Sequence, residues 1–318
     1  MRALLADRIA EPGPSMLMGA GIELVVDAEL SEETLPQAVA RTCADVLVVR
    51  STRVSSDALQ AGQLRLVVRA GAGFNTIDVG TASELGIMVA NCPGKNANAV
   101  AELAFGLIIS LDRHIADNVG DLRAGRWNKQ GFSDAEGLSS STLGLLGTGH
   151  TGRAMIPIAR AFGMSVIGWS RSLSPVLSAE LGIGHRSSPI EVARDADVVS
   201  IHVALTPETR RLVDAELLAA MKPGAYLINT ARAEVVDESA LIEAVRSKGL
   251  RVGLDVFDGE PATGTGEVES PLFGVPGIIG THHIGGATSQ AHRAVAEEMA
   301  RVVIEFARTG RVLNRVGM

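Results

Sequence analysis

Residues 142–152, TLGLLGTGHTG, decide the fold. A short apolar run, LGLL at 143–146, leads directly into Gly147, Gly149 and Gly152 in GxGxxG spacing, and a helix-like segment follows. A strand that turns this tightly into a helix is the opening unit of a dinucleotide-binding domain. The first glycine makes the turn, the second lets backbone approach a pyrophosphate, and the third lets helix pack on strand. A second strand, SVIGW at 165–169, completes the unit, whereas GAGFNT at 71–76 lacks the third glycine. Pro157 falls inside the intervening helix and predicts a kink or a wide first turn, because it removes one backbone bond and crowds the turn before it.

Working outward, further strand candidates follow the loop: DVVSI at 197–201, AYLIN at 225–229, VGLDV at 252–256 and GIIG at 277–280. An earlier series, ALLA at 3–6, ELVV at 23–26, VLVV at 46–49, LRLVV at 64–68 and IMVA at 87–90, also alternates with helix-like segments. Such alternation implies parallel strands with crossover helices, hence two α/β domains, the second doubly wound. The segment 99–115 is apolar on most faces and is expected to be a buried helix, between subunits. The run from Ser289 should be an amphipathic helix with Val295, Met299, Val302, Val303 and Phe306 on one face, ended by Gly310. PATGTGEVES at 261–270 reads as a solvated loop.

The chain has 318 residues, and 29 Lys+Arg against 36 Asp+Glu leave a net charge of −7, which argues against a nucleic-acid-binding face. Cys43 and Cys92 have no metal-ligand spacing, so no metal is expected, and two cysteines suit a reducing compartment. The longest apolar stretch, 103–111, is about half a bilayer span, so no membrane anchor is expected and the location is expected to be cytoplasmic. Phosphate-loop, zinc-protease, CxxC and nucleophile-elbow motifs are missing from the sequence.

The residue closing the second strand of the glycine-loop unit should be acidic to bind a ribose with a free 2′-hydroxyl. Here it is Ser170, followed by Arg171. A hydroxyl and a guanidinium can donate to a 2′-phosphate, which tilts the choice of NAD(P)H toward NADP(H) over NAD(H). Arg232, Glu260 and His283 follow three successive late strands. Ligands of a doubly wound sheet sit outside the carboxyl ends of its strands, so the three can converge. A guanidinium for a carboxylate, an imidazole that gives or takes a proton and a carboxylate to stabilise imidazolium are the parts that reduction of a 2-oxo acid needs.

The segments GAGFNTIDVGTASELGIMVAN, GLLGTGHTG, INTARAEVVDESAL, GLDVFDGEP and THHIGGAT, in this order, resemble the signatures of the D-isomer-specific 2-hydroxyacid dehydrogenase family. The resemblance implies two Rossmann-like doubly wound α/β domains: a flavodoxin-like substrate domain, 1–94 with 287–318, and an inserted NAD(P)-binding domain, 95–286. It also implies a crevice between them and a homodimer built around the 97–115 helix region. It implies that Arg232 holds the substrate carboxylate and carbonyl, that His283 is the acid/base, and that Glu260 pairs with it. Asp255 would face the nicotinamide carboxamide, and His150, Thr151, Val203, Thr230, Ala231 and Gly285 would lie along the dinucleotide. The family usually has Gly after the arginine and Pro before the histidine, where this chain has Ala233 and His282. His283 is preferred to His282 because it directly precedes Ile284-Gly285-Gly286, and His202 is read as structural.

VVRSTRV at 48–54 resembles the phosphoglycerate dehydrogenase branch, in which residues matching Arg50 and Ser51 hold the carboxylate and phosphate ends of the substrate. Ala72, Gly73 and Asn96 would complete that pocket. The partner is then a small anionic 2-oxo or 2-hydroxy acid, first 3-phosphohydroxypyruvate/3-phosphoglycerate. NADPH-dependent glyoxylate/hydroxypyruvate reduction is the alternative, and a dinucleotide-sensing corepressor-like binding protein is a more distant one. No regulatory domain is expected after the last helix, and hence no inhibition by serine through one.

Overall fold

The strand candidates all form strands in the computed structural model, which describes residues 1–261 and 265–317. The strands of the described residues are β1 (Arg2–Leu5), β2 (Glu23–Val26), β3 (Val46–Val49), β4 (Leu66–Arg69), β5 (Met88–Ala90), β6 (Thr142–Leu146), β7 (Ser165–Trp169), β8 (Gly184–His185), β9 (Val198–Ile201), β10 (Tyr226–Asn229), β11 (Arg251–Leu254), β12 (Ile278–Gly280) and β13 (Arg315–Val316). The two-residue strands β8 and β13 are too short to leave a periodicity in the sequence, and neither is anticipated by it.

The first unit comprises Met1–Asn96, Pro261–Glu267 and Gly286–Met318. Its sheet runs β2-β1-β3-β4-β5, all parallel, with β13 added antiparallel to β5. This is the flavodoxin-like order, in which the winding reverses between β1 and β3. Strand β3 reads VLVV because it is buried on both faces. Leu35, Val39 and Leu59 cover one face, and Leu17, Met299, Val302 and Phe306 cover the other. The last helix, Ser289–Thr309, begins at the Thr288 side-chain cap and ends where Gly310 turns left-handed with φ 74°.

The second unit comprises Ala97–Glu260 and Val268–Gly285. Its sheet is parallel throughout, in the order β8-β7-β6-β9-β10-β11-β12. Counted from β6 this is the dinucleotide-fold order with one further strand, and its topological switch lies between β6 and β9. The glycine loop leaves β6 at that switch.

One expectation needs adjusting. The apolar helix covers Ala97–Asp112, because His114 enters the left-handed region at φ 51° and a separate helix, Ile115–Arg123, follows. Phe105, Ile108 and Leu111 of the first helix are buried against Leu145, Met155 and Ile228 of their own unit, which accounts for its apolar surface. Of the stretch 261–270 expected as a solvated loop, Ala262, Thr263 and Gly264 lie outside the described residues. The glycine-loop helix, His150–Ala161, includes Pro157 within its span. Among the described residues, no helix is long and apolar enough to cross a membrane.

Candidate active site

Strands β10, β11 and β12 end side by side, and the loops after them carry Arg232, Glu260 and His283. His283 Nδ1 lies 2.6 Å from Glu260 Oε2, and the Phe257 amide donates to Glu260 Oε1 at 2.8 Å. Burial pushes the Glu260 carboxyl up. The bonds from His283 and Phe257, with the charges of His283 and Arg232, outweigh that and hold it below its ordinary value. An ionised Glu260 can only accept, so His283 carries its proton on Nδ1 and turns Nε2 away from the pair. Burial lowers Arg232 from its ordinary value against the charges of Glu234 and Glu260, and a guanidinium so shifted still stays charged at neutral pH. Glu260 is thus the group that His283 and Arg232 share.

The backbone around these residues is tied by two buried polar side chains. Asp255, 1% exposed just past β11, accepts from Thr281 Oγ1 at 2.6 Å, Ile284 N at 2.9 Å and Gly285 N at 2.8 Å. These bonds grip the chain on both sides of His283, whose φ of 51° is a left-handed conformation that a non-glycine residue holds only when its surroundings impose it. Asn229, 1% exposed at the end of β10, donates to Arg232 O at 2.8 Å and accepts from Ala231 N at 3.0 Å. Sequence reading missed Asn229 and Thr281. Their only signal was a polar residue closing an apolar strand, which is common in loops.

The glycine loop has the shape of an anion cradle. Gly147 has φ 103°, and a Cβ there would lie 2.6 Å from the backbone of His202. A Cβ at Gly152 would come within 2.1 Å of Gly147 O. Packing within the chain therefore explains both glycines. Gly149 differs, because a Cβ would meet nothing within 4 Å; it faces open space at the start of the His150–Ala161 helix. The helices after Ser174, Ser188, Asp214 and Asp237 are capped by those side chains, but no side chain caps this one. Its first amides, on His150, Thr151 and Gly152, are left for an anion, and the helix dipole favours one. Thr230 Oγ1, in a residue 9% exposed, is buried without a partner among the described residues. These features fit a dinucleotide along Gly149, Thr151, Val203 and Thr230.

A test separates packing from binding. Gly149→Ala should change stability by less than about 1 kcal/mol while weakening dinucleotide affinity about tenfold or more. Gly147→Ala should cost more than about 2 kcal/mol through its positive φ and the clash with His202. Thermal unfolding and fluorescence titration with NADPH and NADH read both effects. Equal dinucleotide affinity in Gly149→Ala and the unaltered chain would remove Gly149 from the cradle.

At the end of β7, Ser170 Oγ lies 2.8 Å from Thr148 Oγ1, so two hydroxyls stand where an acidic ribose ligand would be. Arg171 projects into solvent with Glu208 3.9 Å away. His202 sits at the switch point with Nε2 2.9 Å from Ser200 Oγ, and burial lowers it to about 4. It is therefore neutral at physiological pH and unsuited to proton exchange there.

In the first unit, the expected substrate residues follow β3 and β4. The amides of Arg50, Ser51 and Thr52 all donate to Asp7 Oδ2, at 2.7, 3.3 and 3.1 Å, and Ser51 Oγ donates to Asp7 Oδ1 at 3.0 Å. Asp7 follows β1 and Arg50 follows β3, so the loop is moulded at this unit's own switch point. The Ala72 carbonyl accepts from the buried Asn91 side chain at 2.6 Å, and Gly73 is half-buried next to it. A Cβ at Gly286 would lie 2.8 Å from Asn96 Nδ2, so Gly286 lets the Asn96 amide approach the backbone closely. Lys95, beside Asn96, pairs with Glu298 at 3.3 Å.

Residues 105–285 match the family described as D-isomer specific 2-hydroxyacid dehydrogenase, NAD binding domain. The chain is 40% identical over 268 residues to a hydroxypyruvate reductase of Thermotoga maritima, covering 82% of this chain and 84% of that one. It is 36% identical over 310 residues to a D-3-phosphoglycerate dehydrogenase of Methanocaldococcus jannaschii, covering 95% of this chain but only 57% of the relative. The structure resembles that of the TT0316 protein from Thermus thermophilus, with a TM-score of 0.87, 31% identity and full coverage of both chains. The chain belongs to the D-isomer-specific 2-hydroxyacid dehydrogenase family.

Proposed function

We propose that the protein interconverts a small anionic 2-oxo acid and its D-2-hydroxy acid with a nicotinamide dinucleotide. The observation that carries this reading is the 2.6 Å contact of His283 with Glu260, a carboxylate that also feels the charge of Arg232, in the same unit as an uncapped glycine-loop helix. Arg232 binds the substrate carboxylate and polarises its carbonyl. A reduced nicotinamide, when bound, would supply the hydride that the carbonyl carbon takes up. Protonated His283 gives the Nε2 proton to the carbonyl oxygen, and neutral His283 takes it back in the reverse direction. Glu260 steadies the imidazolium and fixes which nitrogen faces the substrate.

For the substrate, Arg50 and Ser51 support 3-phosphohydroxypyruvate/3-phosphoglycerate, with Ala72, Gly73 and Asn96 shaping the pocket. A second reading, reduction of glyoxylate or hydroxypyruvate, is favoured by Asp7. Its carboxylate already occupies the amides of Arg50, Ser51 and Thr52, and Ser51 Oγ, which a phosphate would need. Ser170 and Arg171 support NADP(H) over NAD(H), since a 2′-phosphate would meet hydroxyls and a guanidinium there. Steady-state kcat/KM for phosphohydroxypyruvate, hydroxypyruvate, glyoxylate and pyruvate, each with NADPH and NADH, tests all of this. A preference for the phosphorylated acid and for NADPH is expected. A strong NADH preference removes the role given to Arg171, and indifference to the phosphate removes that of Ser51.

A homodimer is supported by the segment after the buried helix rather than by that helix. Ile115, Val119 and Leu122 are exposed on one helical side, and Trp127 beyond them is 82% exposed. Such a cluster is unfavourable in water and suits a second copy of the chain. Light scattering should give twice the chain mass, falling to one chain mass in Leu122→Glu/Trp127→Glu.

A further inference from the structure

We propose that His292 is a positioning residue for substrate binding: its neutral imidazole holds the Arg50 guanidinium ready for an anionic end of the substrate. This rests on the reading of Arg50 as a substrate ligand. Arg50 Nη2 lies 2.8 Å from His292 Nε2, across 242 residues of sequence. Arginine has only donors, so the contact requires Nε2 to accept, which places the ring proton on Nδ1 and makes the imidazole neutral. Burial, and then the Arg50 charge, lower His292 from its ordinary value, in keeping with that state.

Both ends of the arrangement are anchored. The Arg50 amide is held by Asp7 at 2.7 Å, which sets the direction in which its side chain leaves β3. His292 lies in the first turn of the Ser289–Thr309 helix, its amide bonded to Thr288 O at 2.9 Å. That helix is fixed to the sheet by Met299, Ala300, Val302, Val303 and Phe306, each at most 2% exposed. A free arginine samples many rotamers and loses them when it grips a ligand, so restraining it beforehand lowers the entropic cost of binding.

The chemical identity of the restraint matters as much as its rigidity. A carboxylate in place of His292 would hold Arg50 more strongly, but it would neutralise the guanidinium and compete with the incoming anion. A neutral ring nitrogen orients Arg50 and leaves its full charge for the substrate. Asp7, which binds the Arg50 amide, is engaged by backbone amides and the Ser51 hydroxyl.

The test compares His292→Leu, which removes the acceptor, with His292→Gln, which restores one on a side chain of similar reach. Both are assayed for reduction of phosphohydroxypyruvate and of hydroxypyruvate. His292→Leu should raise KM for the preferred acid about five- to tenfold with kcat within about twofold, and His292→Gln should return KM to within about twofold of the unaltered protein. Dinucleotide affinity should be unchanged in both. If His292→Leu does not fold, His292→Ala takes its place in the comparison. An unchanged KM in His292→Leu, or a His292→Gln no better than His292→Leu, overturns the proposal. Arg50→Gln separates the two layers. If it raises KM while the His292 variants do not, only the positioning role fails; if it leaves KM unchanged, the reading of Arg50 fails and the proposal with it.

Discussion

Replacing His283 with alanine is expected to lower kcat for 2-oxo acid reduction by about 10³- to 10⁴-fold, with dinucleotide affinity unchanged. The size follows from losing the proton donor and leaving Glu260 without the partner that balances its half-buried charge. The neighbouring His282→Ala should keep kcat within about threefold. Among the described residues, one of the two adjacent imidazoles is engaged with a carboxylate: the 2.6 Å bond to Glu260 belongs to His283. His283 is also the one in the left-handed backbone conformation, in a loop whose amides are held by Asp255. Stopped-flow measurement of dinucleotide oxidation separates chemistry from product release. The opposite outcome, a crippled His282→Ala beside an active His283→Ala, transfers the acid/base role to His282.

Arg232→Lys is expected to reduce kcat/KM for the 2-oxo acid by about 10²- to 10³-fold although the charge is kept, and Arg232→Gln by more. A guanidinium presents parallel donors to a carboxylate and a further one to the carbonyl, whereas an ammonium is a point charge on a flexible stem. Lysine also adapts poorly to this place. Burial already lowers Arg232 from a very high starting value, and an amine in the same surroundings would move toward neutrality at a pH where arginine stays charged. Raising the pH should therefore worsen Arg232→Lys more than the unaltered enzyme. A kcat/KM within threefold of the unaltered protein would show that bidentate recognition is dispensable.

How much of this was legible beforehand varies with the kind of interaction. The strands of both sheets could be read because parallel strands covered on both faces must be apolar runs, as VLVV of β3 and YLIN of β10 show. The strand order of each sheet, and with it the pair of strands between which the winding reverses, leaves no mark on local periodicity. The helix break at His114 was invisible for a related reason: the left-handed turn is made by a histidine, without the glycine or proline that signals one. Arg232, Glu260 and His283 stood out because each follows a strand and the set resembles a family signature. Asn229, Thr281 and Asp7, which shape the backbone around the proposed ligands, resemble ordinary loop residues until their hydrogen bonds are seen.

By itself, the sequence determined that this chain forms two parallel α/β layers, carries a GxGxxG turn at the opening of a helix, and holds the residue types for proton and hydride exchange at strand ends. These depend on short-range constraints, apolar periodicity and the steric demands of turns, which act within a few residues. Only the tertiary structure decided which glycine faces open space, which histidine meets the carboxylate, and that Arg50 meets a histidine 242 positions away. Those choices are made when distant strand ends are brought to hydrogen-bond range, where a few tenths of an ångström separate a bond from a gap.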